Sequence, residues 1–350
     1  MIRTALIPAL LLAACSAGEP AADNAAPAVV PTPVASPTTV TAAPPADVTP
    51  RPGALKTFGD WTVGCDNGGR CSMASLLPEG EFGDGPTMTL TRDPGPAGRY
   101  SVEAGDDGNA PRFAVDGRAV VGDADALAAA IANGTALKLA GQAGTVSLKG
   151  ANAALRYIDA QQGRVGTVTA TIAKGTAPAA TVPAAPMLPS VAAQRLEPSQ
   201  AKLPATVTAE MNRIGQCEMG DGVDATPTIA KAPDGKLLVV LPCSAGAYNV
   251  IGALFVVDGT KVTPAQTDAP AGFDETGADS QTPVHSVVNG DFDGNVLTSY
   301  AKGRGLGDCG VSQRFAWDGN RYRLVEQSEM GECRGNTATI TTWRAATTGG

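Results

Sequence analysis

The sequence predicts a mainly β protein with minor α content, arranged as two antiparallel β-rich domains. Three observations carry this. Short runs of β-branched and aromatic residues recur between clusters of Gly, Asn and Asp. Asp-Gly pairs bracket two successive strand–cysteine–strand units in the second half. Helical periodicity is confined to three short windows. The first domain is expected over 54–173 as a sandwich-like module with two short helices, and the second over 205–346 as a disulfide-linked meander or sandwich.

The chain opens with Arg3 as the only charge ahead of an apolar stretch from Ala5 to Ala14, the layout of a secretory signal peptide over 1–14. That stretch is too short to remain as a membrane-spanning helix. Leu12-Ala13-Ala14-Cys15 resembles the bacterial lipobox, so Cys15 is expected to carry the lipid and become the first mature residue; the alternative is an ordinary signal peptide cut elsewhere. Ser16 stands where an Asp would signal retention, which points to the periplasmic face of the outer membrane. Residues 15–53 are dominated by Ala, Pro, Thr and Val and have no large side chains to bury, so they are expected to form a disordered tether. At about 3.1 Å per residue it reaches on the order of 100 Å.

In the first domain, Phe58, Trp61 and Val63 suit a half-buried strand, the turn residues Asp66-Asn-Gly-Gly69 follow, and the chain returns from Cys71 to Leu76. Further strands are expected at 88–92, 99–104, 112–115, 137–139 and 146–148, with a closing strand at 167–173. Asp123 is placed to cap a helix over 124–132, and a second helix over 151–162 carries Leu155 and Ile158 on its apolar side and stops at Gly163. The Ala- and Pro-rich passage 174–204 reads as a linker. A short helix at 210–214 opens the second domain. Its two strand–cysteine–strand units are bracketed by Asp234-Gly235 and Asp258-Gly259, then by Asp293-Gly294 and Asp318-Gly319. Asp-Gly is a favoured two-residue hairpin loop because both central positions need positive φ.

Apart from Cys15 the chain holds Cys65, Cys71, Cys217, Cys243, Cys309 and Cys333, an even set that in an exported protein reads as disulfides. Six cysteines allow fifteen pairings, and spacing alone does not choose among them. Pairing sequence neighbours keeps each bridge inside one module and is the expectation adopted. A metal centre is disfavoured, because no C-x-x-C spacing occurs and His285 is the single histidine. No cofactor is expected. A net charge of −8 with scattered Lys and Arg offers no stripe for a phosphate backbone, which argues against nucleic acid.

The candidate chemistry is sparse. Gly303-Arg-Gly-Leu-Gly-Asp-Cys-Gly310 is rich in glycine like a phosphate loop, but a strand rather than a helix is expected after it, so a shaped turn is preferred. Asn289-Gly-Asp291-Phe-Asp293-Gly-Asn295 copies the opening of a calcium loop without its closing Glu, and a hairpin is preferred there too. Neither a Gly-x-Ser-x-Gly elbow nor a His-Glu-x-x-His pair is present. With Cys309 bridged to Cys333, Arg304, Asp308, Glu332 and Arg334 fall within reach of one another and form the candidate binding surface. The function expected is a non-enzymatic binding or structural module that meets the membrane through its Cys15 lipid and contacts an envelope protein or glycan. The alternative is a periplasmic hydrolase or enzyme inhibitor with its site around Arg304 and Arg334.

Four ordered segments resemble a known family: Lys56-Thr-Phe-Gly-Asp-Trp-Thr-Val-Gly-Cys-Asp-Asn, Ser147-Leu-Lys-Gly-Ala-Asn-Ala-Ala-Leu-Arg-Tyr-Ile-Asp159, Gly305-Leu-Gly-Asp-Cys-Gly310 and Met330-Gly-Glu-Cys-Arg-Gly335. Over about 54 to 346 they are similar to the bacterial envelope family called domain of unknown function 1176. The first two also resemble the invasion-associated locus B family of secreted β-rich proteins, although Gly64 stands where that family places a basic residue. Neither resemblance implies a catalytic residue.

Overall fold

Each expected strand of the first half that alternates apolar and polar residues forms, because one face finds a core. Lys56–Phe58 (β1), Trp61–Cys65 (β2), Cys71–Ser75 (β3), Met88–Arg92 (β4) and Tyr100–Ala104 (β5) make a five-stranded antiparallel meander in sequence order. Gly59 turns β1 into β2 at φ 59°, and a Cβ there would stand 2.6 Å from the Lys149 carbonyl, so only glycine fits. Phe113–Val115 (β6), Arg118–Ala119 (β7), Ala136–Leu139 (β8) and Val146–Ser147 (β9) build a second small sheet in the order β7-β6-β8-β9. Ala124–Ile131 (α1) starts where the Asp123 carboxylate accepts the amides of Asp125 and Ala126. It packs with Ala151–Gln161 (α2), so that Leu127, Ile131, Leu155 and Ile158 close over Trp61, Met73 and Leu90. Burying a ring the size of Trp61 contributes roughly 4–6 kcal/mol.

The second half contains two larger sheets. Ser190–Ala192 (β10) and Glu197–Pro198 (β11) lead into Ala205–Gly215 (α3), followed by Thr228–Lys231 (β12), Leu237–Ala245 (β13), Val250–Asp258 (β14), Lys261–Pro264 (β15) and Ser286–Val288 (β16). One sheet has the order β11-β12-β13-β14-β15, with β16 added on β14. Asp291–Asp293 (β17), Val296–Lys302 (β18), Gly310–Trp317 (β19), Tyr322–Met330 (β20) and Ile340–Arg344 (β21) form the other, again a meander, and Ala346–Thr348 (β22) pairs in parallel with β10. Leu238 and Val240 of β13 face Leu297, Phe315, Tyr322 and Trp343 across the sheets. Val239 and Leu241 point the opposite way, under Val207 and Met211 of α3. A strand buried on both faces loses its alternation, which is why β13 reads as a continuous apolar run.

The computed structural model describes residues 48–81, 85–104, 112–220, 223–268 and 282–349. The expected signal peptide 1–14, the expected lipid site Cys15 and the expected tether as far as residue 47 lie outside the described residues. Pro45–Gly350 forms one compact unit. Within it the two β-rich halves meet along a filled seam, where Ala74 and Leu76 of the first pack with Cys309, Met330 and Ile340 of the second. The passage 174–204 contributes β10, β11 and a 3₁₀ turn at Ala179–Thr181. Cys65–Cys71, Cys217–Cys243 and Cys309–Cys333 are bridged, the neighbour pairing expected.

Three expectations change. Residues 167–173 form no strand; the amides of Thr171, Ile172 and Ala173 are donated to the Asp159 carboxylate at 2.8, 2.7 and 3.2 Å, which removes them from any ladder. The helix expected at 210–214 extends from Ala205 to Gly215, because Val207 and Met211 bury one turn apart despite the β-branched residues at its start. At Asp258-Gly259 and Asp293-Gly294 the aspartate closes the strand and only the glycine takes positive φ, at 62° and 60°. These loops place glycine at the first central position, so the aspartate avoids a strained left-handed backbone.

Candidate functional site

The turn between β18 and β19 holds Arg304 and Asp308. The Arg304 Nε donates to Asp308 Oδ1 at 2.6 Å and its Nη2 donates to Oδ2, making a fork-on-fork pair. Gly335 donates its amide to the same carboxylate at 2.7 Å. The Arg304 guanidinium, helped by that amide against the cost of burial, holds Asp308 below the usual carboxylate range. Cys309–Cys333 ties the base of the turn to the loop after β20. Two tyrosines complete the brace, Tyr300 Oη donating to Gly307 O at 2.6 Å and Tyr248 Oη to Gly303 O at 3.0 Å. Leu306 stands at the tip, 74% exposed.

Arg334 faces the other half of the molecule. Its Nε donates to Leu77 O at 2.8 Å, Nη1 to Gly59 O at 3.0 Å and Nη2 to Asp60 Oδ1 at 2.5 Å. Asp60 also accepts the Ser147 hydroxyl at 2.7 Å, so a single carboxylate joins β2, β9 and the loop carrying Arg334. Glu332 Oε1 accepts the Thr57 hydroxyl at 2.8 Å. A second clasp lies along the same seam, where Arg344 Nε pairs with Asp66 and Asn67 Nδ2 donates to Arg344 O at 2.9 Å. Of the four residues expected as a binding surface, Arg304 and Asp308 thus pair with each other beside the Cys309–Cys333 bridge, whereas Glu332 and Arg334 both reach away from them to the first half.

A second ionic cluster escaped the reading of the sequence. Arg92, Asp159 and Arg164 are 4%, 0% and 0% exposed. Arg92 Nη1 donates to Asp159 Oδ1 at 3.1 Å, and its guanidinium lies 4.7 Å from the Tyr100 ring centre. Arg164 donates to Gln162 Oε1 at 2.8 Å, Thr169 Oγ1 at 3.2 Å and Gly95 O at 2.6 Å. Burial, then repulsion from Arg92, lowers the Arg164 pKa from its ordinary value. The signal was present: Asp159 follows Leu155 by four residues and Gln162 follows Ile158 by four, so both polar side chains sit on the buried stripe of α2.

His285 accepts from or donates to the Thr267 hydroxyl through Nδ1 at 2.9 Å, and burial pulls its pKa below the usual value. Asn289–Asn295 forms β17 and its hairpin, with Asn289 bonded to Val250 N and Tyr300 O. Among the described residues, hollows open on the surface at two places that bear on function. One, of about 560 Å³, lies between the β6–β7 hairpin and α1. The other, of about 700 Å³, runs between the strap 198–203, β12 and β17, lined by Gln200, Lys202, Thr226, Thr228, Asp291 and Phe292.

Fold and site together define a disulfide-pinned, mainly β protein whose most prominent polar clusters brace its own architecture. The chain belongs to the family described as protein of unknown function (DUF1176), whose model matches residues 55–348. It is similar to the uncharacterized protein YpfG of Escherichia coli (strain K12), 31% identical over 319 residues, covering 80% of this chain and 89% of that protein. No solved structure matches it.

Proposed function

We propose that this protein is a bacterial cell-envelope lipoprotein, held at the periplasmic face of the outer membrane through a lipid on Cys15, that acts as a non-enzymatic binding module for another envelope protein or glycan. The observation that carries the reading is the use made of the charged groups. Arg304, Asp308 and Arg334 are each consumed in forked or multiple internal hydrogen bonds, which suits support of a surface more than turnover at it. Three bridged cysteine pairs fit an oxidising compartment. Cells fed labelled palmitate should label the intact chain and not Cys15→Ala; an unlabelled intact chain would sink the anchor. Photo-crosslinking in intact cells should then trap an envelope component, and a measured turnover that depends on Arg304 or Arg334 would replace binding by catalysis.

One observation favours a second reading, a periplasmic enzyme inhibitor. Leu306 is presented on a turn fixed by a disulfide, an ion pair and two tyrosine hydroxyls, and a rigid exposed side chain loses little entropy on binding. Crosslinks centred on Leu306 to an enzyme whose activity falls would select this reading.

A further inference from the structure

We infer that the groove of about 700 Å³ between the strap 198–203 and β17 is a binding site for an uncharged oligosaccharide. The inference rests on the reading of the chain as an envelope binding module and names the ligand class. The size falls in the range of small-ligand clefts. The groove runs between the edges of two sheets, β11 and β12 on one side and β17 on the other.

Sheet edges usually invite an extended peptide, and here both rims refuse one. β11 ends in Pro198, which has no amide proton, and the next amide, of Ser199, is already donated to Ile229 O at 3.0 Å. On the opposite rim the Phe292 amide is donated to Asp291 Oδ1 at 2.8 Å. A peptide laid in the groove therefore finds few donors for a ladder.

Recognition falls instead to side chains. Gln200, Lys202 and Thr226 are exposed on the strap and the approach to β12, and Asp291 is exposed on β17. They offer an amide, an ammonium, a hydroxyl and a carboxylate, a set that both donates to and accepts from sugar hydroxyls. Phe292 is half-buried; it packs on the inter-sheet core and also lines the groove, giving an apolar surface for the C–H face of a pyranose. One lysine and one aspartate cancel, so no charge is selected for, which separates this site from one for phosphate or an acidic peptide.

The test uses the full chain in detergent, with triacetylchitotriose and maltotriose as soluble probes in calorimetry, and purified peptidoglycan sacculi in co-sedimentation. Saturable binding of a trisaccharide is expected, with Gln200→Ala and Asp291→Asn each weakening it about tenfold. Both residues are exposed, so these variants should melt like the parent; Phe292→Ala should abolish binding and must be read beside its own melting curve. Co-sedimentation together with trisaccharide binding assigns the wall polymer as source, and trisaccharide binding alone assigns a free sugar. Absence of saturable binding up to about 10 mM of either probe, or binding that survives both exposed substitutions, overturns the inference. An envelope protein trapped by crosslinking in that case leaves the binding-module reading standing.

Discussion

The cluster around Asp159 and the clasps around Asp308 and Asp60 use the same residue types under opposite conditions. Around Asp159 one carboxylate pairs with buried Arg92 beside a second buried arginine, Arg164, whose guanidinium donates to the Gln162 and Thr169 side chains and to the Asp93 and Gly95 carbonyls in place of water. Around Asp308 and Asp60 each carboxylate faces one arginine, with part of the guanidinium still in contact with solvent. The first arrangement fixes a loop within one half, whereas the Asp60–Arg334 clasp ties two halves together across 274 residues of sequence. An ion pair in the interior is costly to break singly, because the partner is left charged and dry; one at a seam relaxes into water.

That contrast ranks the substitutions. Asp159→Ala should be the most damaging, removing about 3–5 kcal/mol in urea unfolding, since it strands Arg92 and frees three amides of residues 171–173. A loss near 1 kcal/mol would mean that the loop 164–173 is held by packing instead. Arg334→Ala should cost about 2–3 kcal/mol by deleting three hydrogen bonds across the seam, and amide exchange should rise in β2 and β21 together. Exchange confined to one half would show that the apolar seam alone joins them.

Asp308→Asn should cost less, about 1–2 kcal/mol, since an asparagine oxygen can still accept from Gly335. Its pH signature is more telling. The folded-state pKa of Asp308 lies below its unfolded value near 3.8, so its contribution is full above that value and is lost as pH falls through the lower folded one. Melting curves of parent and variant should therefore converge at the acid end; a constant gap would deny the ion pair its role. The smallest effect belongs to His285→Asn. Burial lowers the histidine pKa, so its neutral form favours the fold above about 6.5 and stability declines as pH drops below it. The asparagine variant should lack that decline.

Much of this was legible in the sequence and some was not, for identifiable reasons. Strands β2 to β5 follow from alternation, and α1 follows from Asp123, because both signals are local. The even cysteine count left fifteen pairings open, and the neighbour pairing adopted to keep each bridge inside one module is the one that forms. Arg304 with Asp308 was legible because they lie four residues apart on one turn. The partners of Arg334 were not, because Gly59, Asp60 and Leu77 lie in the other half and nothing local to Arg334 points to them. The groove between β11, β12 and β17 is likewise assembled from segments that no periodicity connects.

By itself the sequence determined the β class and where most strands and turns fall, since each depends on backbone preference or on neighbours a few residues away. Only the tertiary structure decided that Arg334 grips the first half, that Asp159 dissolves an expected strand, and that two blunted sheet edges enclose a groove. Those outcomes depend on which groups are buried together, and burial is a property of the assembled chain.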